Sequence, residues 1–206
     1  MTHVKKIIEA GLPLRQAKKA LILLHGRGGS AEDILTLRDH LPVNDFYIVA
    51  PQATNNSWYP LSFLAPTQQN EPWFSSALAY VKSIVDDIQA AGIQADHIYI
   101  GGFSQGACLT LEFTTRHAQR WGGVFALTGG LIGDKIYPEH YQGDFEGTQV
   151  FIANSQNDPH VPLTRSEDSK RLMEKMGAKV NVKVYHDRPH TIVMDELQEA
   201  GKILMG

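Results

Sequence analysis

Cysteine is all but missing from this chain. The single thiol, Cys108, excludes an internal disulfide framework. An excess of charge of one sign is missing too: the formal net charge is −3 over 206 residues. The chain therefore exerts no general pull on nucleic acid or on anionic membrane. No run reaches the roughly 20 apolar residues of a membrane span. The segment from Met1 to Ala20, with Lys5, Lys6, Glu9, Arg15, Lys18 and Lys19, holds no apolar stretch of signal-peptide length. These absences lead to the expectation of a reduced, cytoplasmic setting, with no nucleic-acid partner and no membrane insertion. They leave homodimerisation open.

What is present is ordinary globular usage, 43% hydrophobic and 20% charged. The length fits one domain, 1–206, large enough to bury roughly 70% of the surface its unfolded form exposes. Strand and helix signals alternate, which predicts an α/β domain with a mostly parallel central sheet and helices on both faces. Ala20-Leu21-Ile22-Leu23-Leu24 is a continuous apolar run, as a strand covered on both faces requires. Further strands are expected at 46–50, 98–103, 123–127, 150–153 and 180–185, the last alternating as a half-buried, edge-like strand does. Helices are expected from Ser30, which can cap with Asp33, and over 73–91, 105–118, 163–176 and 191–204. The stretch 51–72 is a long loop, and its Trp58, Tyr59 and Phe63 argue against disorder.

Gly102-Phe103-Ser104-Gln105-Gly106 matches Gly-x-Ser-x-Gly. The letters alone also fit a glycine-rich turn with a capping serine. The context is more telling, because Ser104 directly follows an apolar strand and directly precedes a helix. That junction needs a sharp turn, exposes the hydroxyl, and aims the amides of the helix at it. A neutral hydroxyl needs a base. Among nine histidines, His190 fits best, since it lies late in the chain between the last strand and the last helix. His186, four residues earlier, ends its strand. The two could form a metal pair only on a helix that Pro189 forbids, and no further ligand cluster is apparent, so no metal is expected. The acid should lie between serine and histidine in the chain. Asp158 is the only carboxylate of Asn154-Ser155-Gln156-Asn157-Asp158-Pro159-His160. Taken alone it reads equally as a turn-forming Asp before Pro, and Asp187 and Asp134 are alternatives. The oxyanion needs donors in place. The backbone N–H of Gln105 is one, and the N–H of Arg27, in His25-Gly26-Arg27-Gly28-Gly29, is assigned as the other. The Arg27 side chain could meet an anionic substrate or be structural. His25 reads as a packed histidine, and Cys108, off the turn, as a buried small residue.

At these positions the chain resembles the carboxylesterase/phospholipase family, which includes acyl-protein thioesterases and small bacterial carboxylesterases. The likeness is carried by Leu23-Leu24-His25-Gly26-Arg27-Gly28, Ser57-Trp58-Tyr59-Pro60, the Ser104 motif, Asp158-Pro159-His160-Val161-Pro162 and His190-Thr191, and so spans nearly the whole chain. It implies an α/β-hydrolase fold with no large cap domain and an open groove. It also implies cofactor-free esterase or thioesterase activity, and a triad of Ser104, Asp158 and His190. Pro189 stands where the family commonly has glycine, and Thr128 where it often has serine. Trp58, Tyr59 and Phe63 could line the groove as apolar walls, or could only anchor the loop. The expected substrate is a small-molecule carboxylic ester of small to medium acyl or aryl groups. Thioester, lysophospholipid or lactone hydrolysis on the same triad is the alternative within catalysis. A binding protein retained on a hydrolase fold is the alternative outside it.

Overall fold

The computed structural model describes residues 2–205. Seven strands form one sheet in the order β1-β3-β2-β4-β5-β6-β7. They are β1 (Ile7–Gly11), β2 (Lys19–Leu24), β3 (Phe46–Pro51), β4 (Ile98–Phe103), β5 (Gly123–Leu127), β6 (Gln149–Ser155) and β7 (Lys179–Tyr185). Every pairing is parallel except that of β1 with β3. Five α-helices cover the sheet: α1 (Ala31–Leu35), α2 (Trp73–Ala90), α3 (Gln105–Arg116), α4 (Leu163–Lys175) and α5 (Met194–Met205).

The pleat divides the core in two. Ile22, Leu24, Val49, Ile100, Val124 and Ile152 face α2, α3 and α4, where Val81, Ile84, Leu111 and Phe113 meet them. Leu21, Leu23, Ile48, Phe125 and Phe151 point the other way, toward Ile34 and Leu35 of α1 and Leu197, Ala200 and Ile203 of α5. This is why the strands read as unbroken apolar runs: both faces are covered.

The connection after β2 runs to β3 on one side, and the chain then returns past β2 to β4 on the other. Such a reversal leaves a crevice at the carboxyl ends of the neighbouring strands, where ligands of open α/β sheets bind.

Three elements differ from the sequence expectation. Strand β1 was not foreseen. It is an antiparallel edge strand of five half-buried or exposed residues, so its pattern is too weak to stand out beside Lys5 and Lys6. The helix after Ser30 is short and passes into a 3₁₀ turn at Thr36–His40, although its Ser30–Asp33 capping box is formed. Helix α5 begins at Met194, because Thr191 is held in a turn by the hydrogen bond that its N–H donates to the Pro189 carbonyl.

Candidate active site

Ser104 sits between β4 and α3 with φ +54° and ψ −117°, a backbone conformation rare for a side-chain-bearing residue. Its neighbours make the turn possible. A Cβ at Gly102 would lie 2.6 Å from the Gly106 carbonyl group, and one at Gly106 would lie 2.1 Å from the carbonyl oxygen of Leu24. Only glycine lets α3 start this close to β2. The Ser104 amide donates to the Leu127 carbonyl at 3.0 Å, which ties the turn to β5.

The hydroxyl faces His190, whose Nε2 lies 2.8 Å from Ser104 Oγ. On the other side of the ring, His190 Nδ1 is 2.8 Å from Asp158 Oδ2. The second Asp158 oxygen accepts the amides of His160 and Val161, each at 2.9 Å. Burial would raise this carboxyl, but the hydrogen bonds from His190, His160 and Val161 outweigh it and hold Asp158 below its ordinary value. An ionised Asp158 accepts only. It therefore places the imidazole proton on Nδ1 and leaves Nε2 free to accept from Ser104.

The two other acids weighed from the sequence lie elsewhere. Asp134 accepts from the Tyr137 hydroxyl at 2.8 Å, and Asp187 is exposed with φ +53°. His186 hydrogen-bonds Gln156 at 2.7 Å. Among the described residues no group of three His, Cys, Asp or Glu side chains could hold a metal.

The amides of Arg27 and Gln105 have no hydrogen-bond acceptor among the described residues. Both side chains hydrogen-bond to the same loop. The Arg27 guanidinium donates to Ser57 Oγ (3.0 Å) and to the carbonyls of Pro60 (2.8 Å) and Leu61 (2.6 Å). The Gln105 amide group accepts from Trp58 N (2.9 Å) and donates to the Tyr59 carbonyl (2.8 Å). The Arg27 side chain thus braces the loop from an exposed position, and it lines the cavity as well. His25 is packed as expected. Its Nδ1 donates to the Gly26 carbonyl at 2.7 Å and its Nε2 accepts from Ala53 N at 3.1 Å, while burial lowers its pKa.

A cavity of about 530 Å³ opens above Ser104 and His190, walled by Arg27, Tyr59, Leu61, Phe63, His160 and Val161. Tyr59 and Phe63 thus stand where the aromatic wall was expected. Trp58 does not. It is fully buried, outside the cavity lining, with its indole N–H donating to the His25 carbonyl at 2.8 Å. An aromatic in a loop signals only that something is packed. The indole N–H needed an acceptor, and found it beneath the loop rather than in the groove. Sequence reasoning did not place Leu61, Val161 or His160 on the wall, although His160 stands edge-on to His190 with ring centroids 4.7 Å apart. Cys108 also reaches the cavity floor, but burial keeps it 1% exposed and pushes its thiol up to about 12, so it is a packed thiol rather than a nucleophile.

A model of the phospholipase/carboxylesterase family matches residues 5–205. The chain belongs to that family. Its relatives include acyl-protein thioesterase 1 of Kluyveromyces lactis, 26% identical over 91% of each chain. The thioesterase of the same description from Saccharomyces cerevisiae is 27% identical over 93% of each. A crystal structure of a phospholipase/carboxylesterase from Dyadobacter fermentans superposes with a TM-score of 0.98. It is 52% identical and covers 100% of this chain and 99% of that one. Like others of the family, this chain is an α/β hydrolase that acts on esters, and no helix among the described residues is long and apolar enough to cross a membrane.

Proposed function

We propose that the protein cleaves carboxylic esters of small to medium acyl or aryl groups through an acyl-enzyme on Ser104. The observation that carries this reading is the unbroken chain Asp158–His190–Ser104, both links 2.8 Å long, ending in the open cavity. His190 Nε2 takes the hydroxyl proton as Ser104 Oγ attacks the carbonyl carbon. The negative charge on the carbonyl oxygen goes to the amides of Arg27 and Gln105, which have no other acceptor among the described residues. The tetrahedral intermediate collapses, His190 returns the proton to the departing alkoxide, and Ser104 is left acylated. Water, deprotonated by His190, then releases the acid and restores the serine. Asp158 stays ionised throughout and stabilises the imidazolium. This sequence asks for no metal or cofactor, and we expect kcat/KM to be indifferent to a chelator. The single buried thiol is in keeping with a reducing, cytoplasmic setting.

Substrate size follows from the cavity. At about 530 Å³ it lies in the ordinary range for small-molecule sites. Tyr59, Leu61, Phe63 and Val161 offer apolar surface with few polar demands. Hydrolysis of acyl thioesters is a second reading, favoured by the yeast relatives described as acyl-protein thioesterases. A panel of aryl esters of increasing acyl length, run beside matched acyl thioesters, separates the two. The ester reading expects short and medium esters to be turned over with the higher kcat/KM, and all turnover to cease when a fluorophosphonate has labelled Ser104. Preference for the thioester at every chain length would reverse the order. Turnover by the fully labelled protein would remove both readings.

A further inference from the structure

The loop that carries His190 is irregular, yet it must hold an imidazole to within hydrogen-bond tolerance of Ser104. Beneath it lies the guanidinium of Arg188, on a side chain 3% exposed. Its Nη1 donates to the carbonyls of Pro189, at 3.4 Å, and Thr191, the residues on either side of His190. The Thr191 amide closes back on the Pro189 carbonyl at 2.7 Å, so His190 is the centre of a three-residue turn.

The other arm of the guanidinium reaches the nucleophile's side of the site. Nη2 donates to Thr128 Oγ1 at 2.7 Å. Thr128 leaves β5 in the left-handed region, φ +65°, with its amide held by the Ala153 carbonyl at 2.9 Å. The carbonyl just before it, that of Leu127, accepts the Ser104 amide. One planar group therefore joins the turn bearing His190 to the strand end that anchors Ser104. The remaining edge, Nε, faces Glu196 Oε1 of α5 at 3.5 Å. The second Glu196 oxygen accepts from Val193 N at 2.9 Å.

A buried ion pair is a poor way to gain stability, because desolvation offsets the attraction and an apolar pair of equal volume does as well or better. A guanidinium does what an apolar side chain cannot: it fixes several acceptors in one plane through a rigid fork of donors. Arg188 is absent from the cavity wall, so it does not meet substrate.

We propose that Arg188 is a positioning residue for the reaction, holding the His190 turn in register with Ser104 through Thr128. The proposal rests on His190 being the base. Replacement of His190 by alanine tests that reading separately: activity kept in H190A removes the base and leaves Arg188 without a role.

The test is kinetic and spectroscopic. Arg188→Gln lowers kcat on the order of 10²-fold, the scale of an ångström-sized misplacement of a catalytic group. KM stays within about threefold, because no substrate contact is lost. Labelling of Ser104 by a fluorophosphonate slows in parallel. The far-downfield proton resonance of His190 Nδ1–H in the Asp158 hydrogen bond shifts or broadens. Arg188→Lys, a point charge without the fork, does not restore the rate. Thr128→Val removes one link while keeping the side-chain shape, and lowers kcat in the same way, whereas Thr128→Ser retains it.

Two results would overturn the proposal: kcat within about threefold of wild type for Arg188→Gln below its melting temperature, or a slow variant with an unmoved downfield resonance. If the Arg188 variants fail to fold, Thr128→Val decides alone. A wild-type kcat and resonance in that variant contradict the coupling through Thr128.

Discussion

Asp158 is fully buried at its carboxylate, accepts two backbone amides with one oxygen, and holds His190 with the other. Asp187, close to His190 in sequence, is exposed to solvent with a left-handed backbone. The two aspartates therefore separate cleanly. Asp158→Asn presents an N–H where the imidazole needs an acceptor, so the wrong tautomer is favoured, and kcat is expected to fall on the order of 10⁴-fold. Asp187→Asn should turn over at close to the wild-type rate. Steady-state kinetics of both variants check this, and the reverse order of severity would move the acid to Asp187. At this scale the sequence was informative where chain order and element boundaries constrain a residue, as for Ser104, Asp158 and His190. It was uninformative where only contact decides. Nothing in Ser57-Trp58-Tyr59-Pro60 tells which aromatic turns inward, and nothing in the sequence singles out Arg188, two residues before His190, until its partners in distant elements are known.

At the scale of elements, α3 both presents the nucleophile and anchors the long segment after β5. Glu112, in the middle of α3, is 0% exposed. It pairs with Arg116 at 2.6 Å and accepts from Ile132 N at 2.9 Å and the Tyr141 hydroxyl at 3.0 Å. Burial raises its pKa, with Arg116 and the two donors pulling it back. Glu112→Ala would strand all three partners, and a loss of about 3 kcal/mol follows from breaking a buried pair on one side. Urea unfolding measures it, and a midpoint unchanged from wild type would show that the segment is held by its apolar contacts alone. The alternation of elements was legible because five of the parallel strands are buried on most of their length and their helices carry the complementary stripe. The edge strand β1 and the start of α5 were not, for physical reasons. A half-exposed strand makes few demands on its residues, and Thr191 spends its amide and carbonyl on the His190 turn and Arg188, so the helix starts only where the Val193 carbonyl accepts the Glu196 and Leu197 amides.

For the molecule as a whole, acid stability should be governed in part by histidines folded in the neutral state. Burial lowers the pKa of His3, His25 and His117 below the ordinary value of 6.5. Unfolded chains bind these protons near pH ~6.5 and the folded protein binds them only at lower pH. The stability contribution is thus complete above about pH 6.5 and is lost as the pH falls toward the folded values. Glu112 and Glu196, raised by burial, act in the opposite sense. A comparison with His25→Gln isolates one group, since glutamine does not titrate. The gap in Tm between wild type and His25→Gln should narrow as the pH drops through about 6.5. A gap constant with pH would mean that His25 titrates alike in the folded and unfolded chain, and a gap that widens on acidification would mean that the fold holds it charged.

Turnover by Ser104→Ala tests the account most directly. Its chemistry begins with one oxygen, which β4, α3 and two glycines force into the open opposite His190. Loss of that oxygen should leave a folded protein, with wild-type melting and circular dichroism, whose ester hydrolysis is reduced on the order of 10⁴-fold or more. Intact-mass analysis during turnover of a slow ester should show the acyl adduct in wild type and none in the variant. Near wild-type hydrolysis by a clean Ser104→Ala preparation would contradict covalent catalysis at this site.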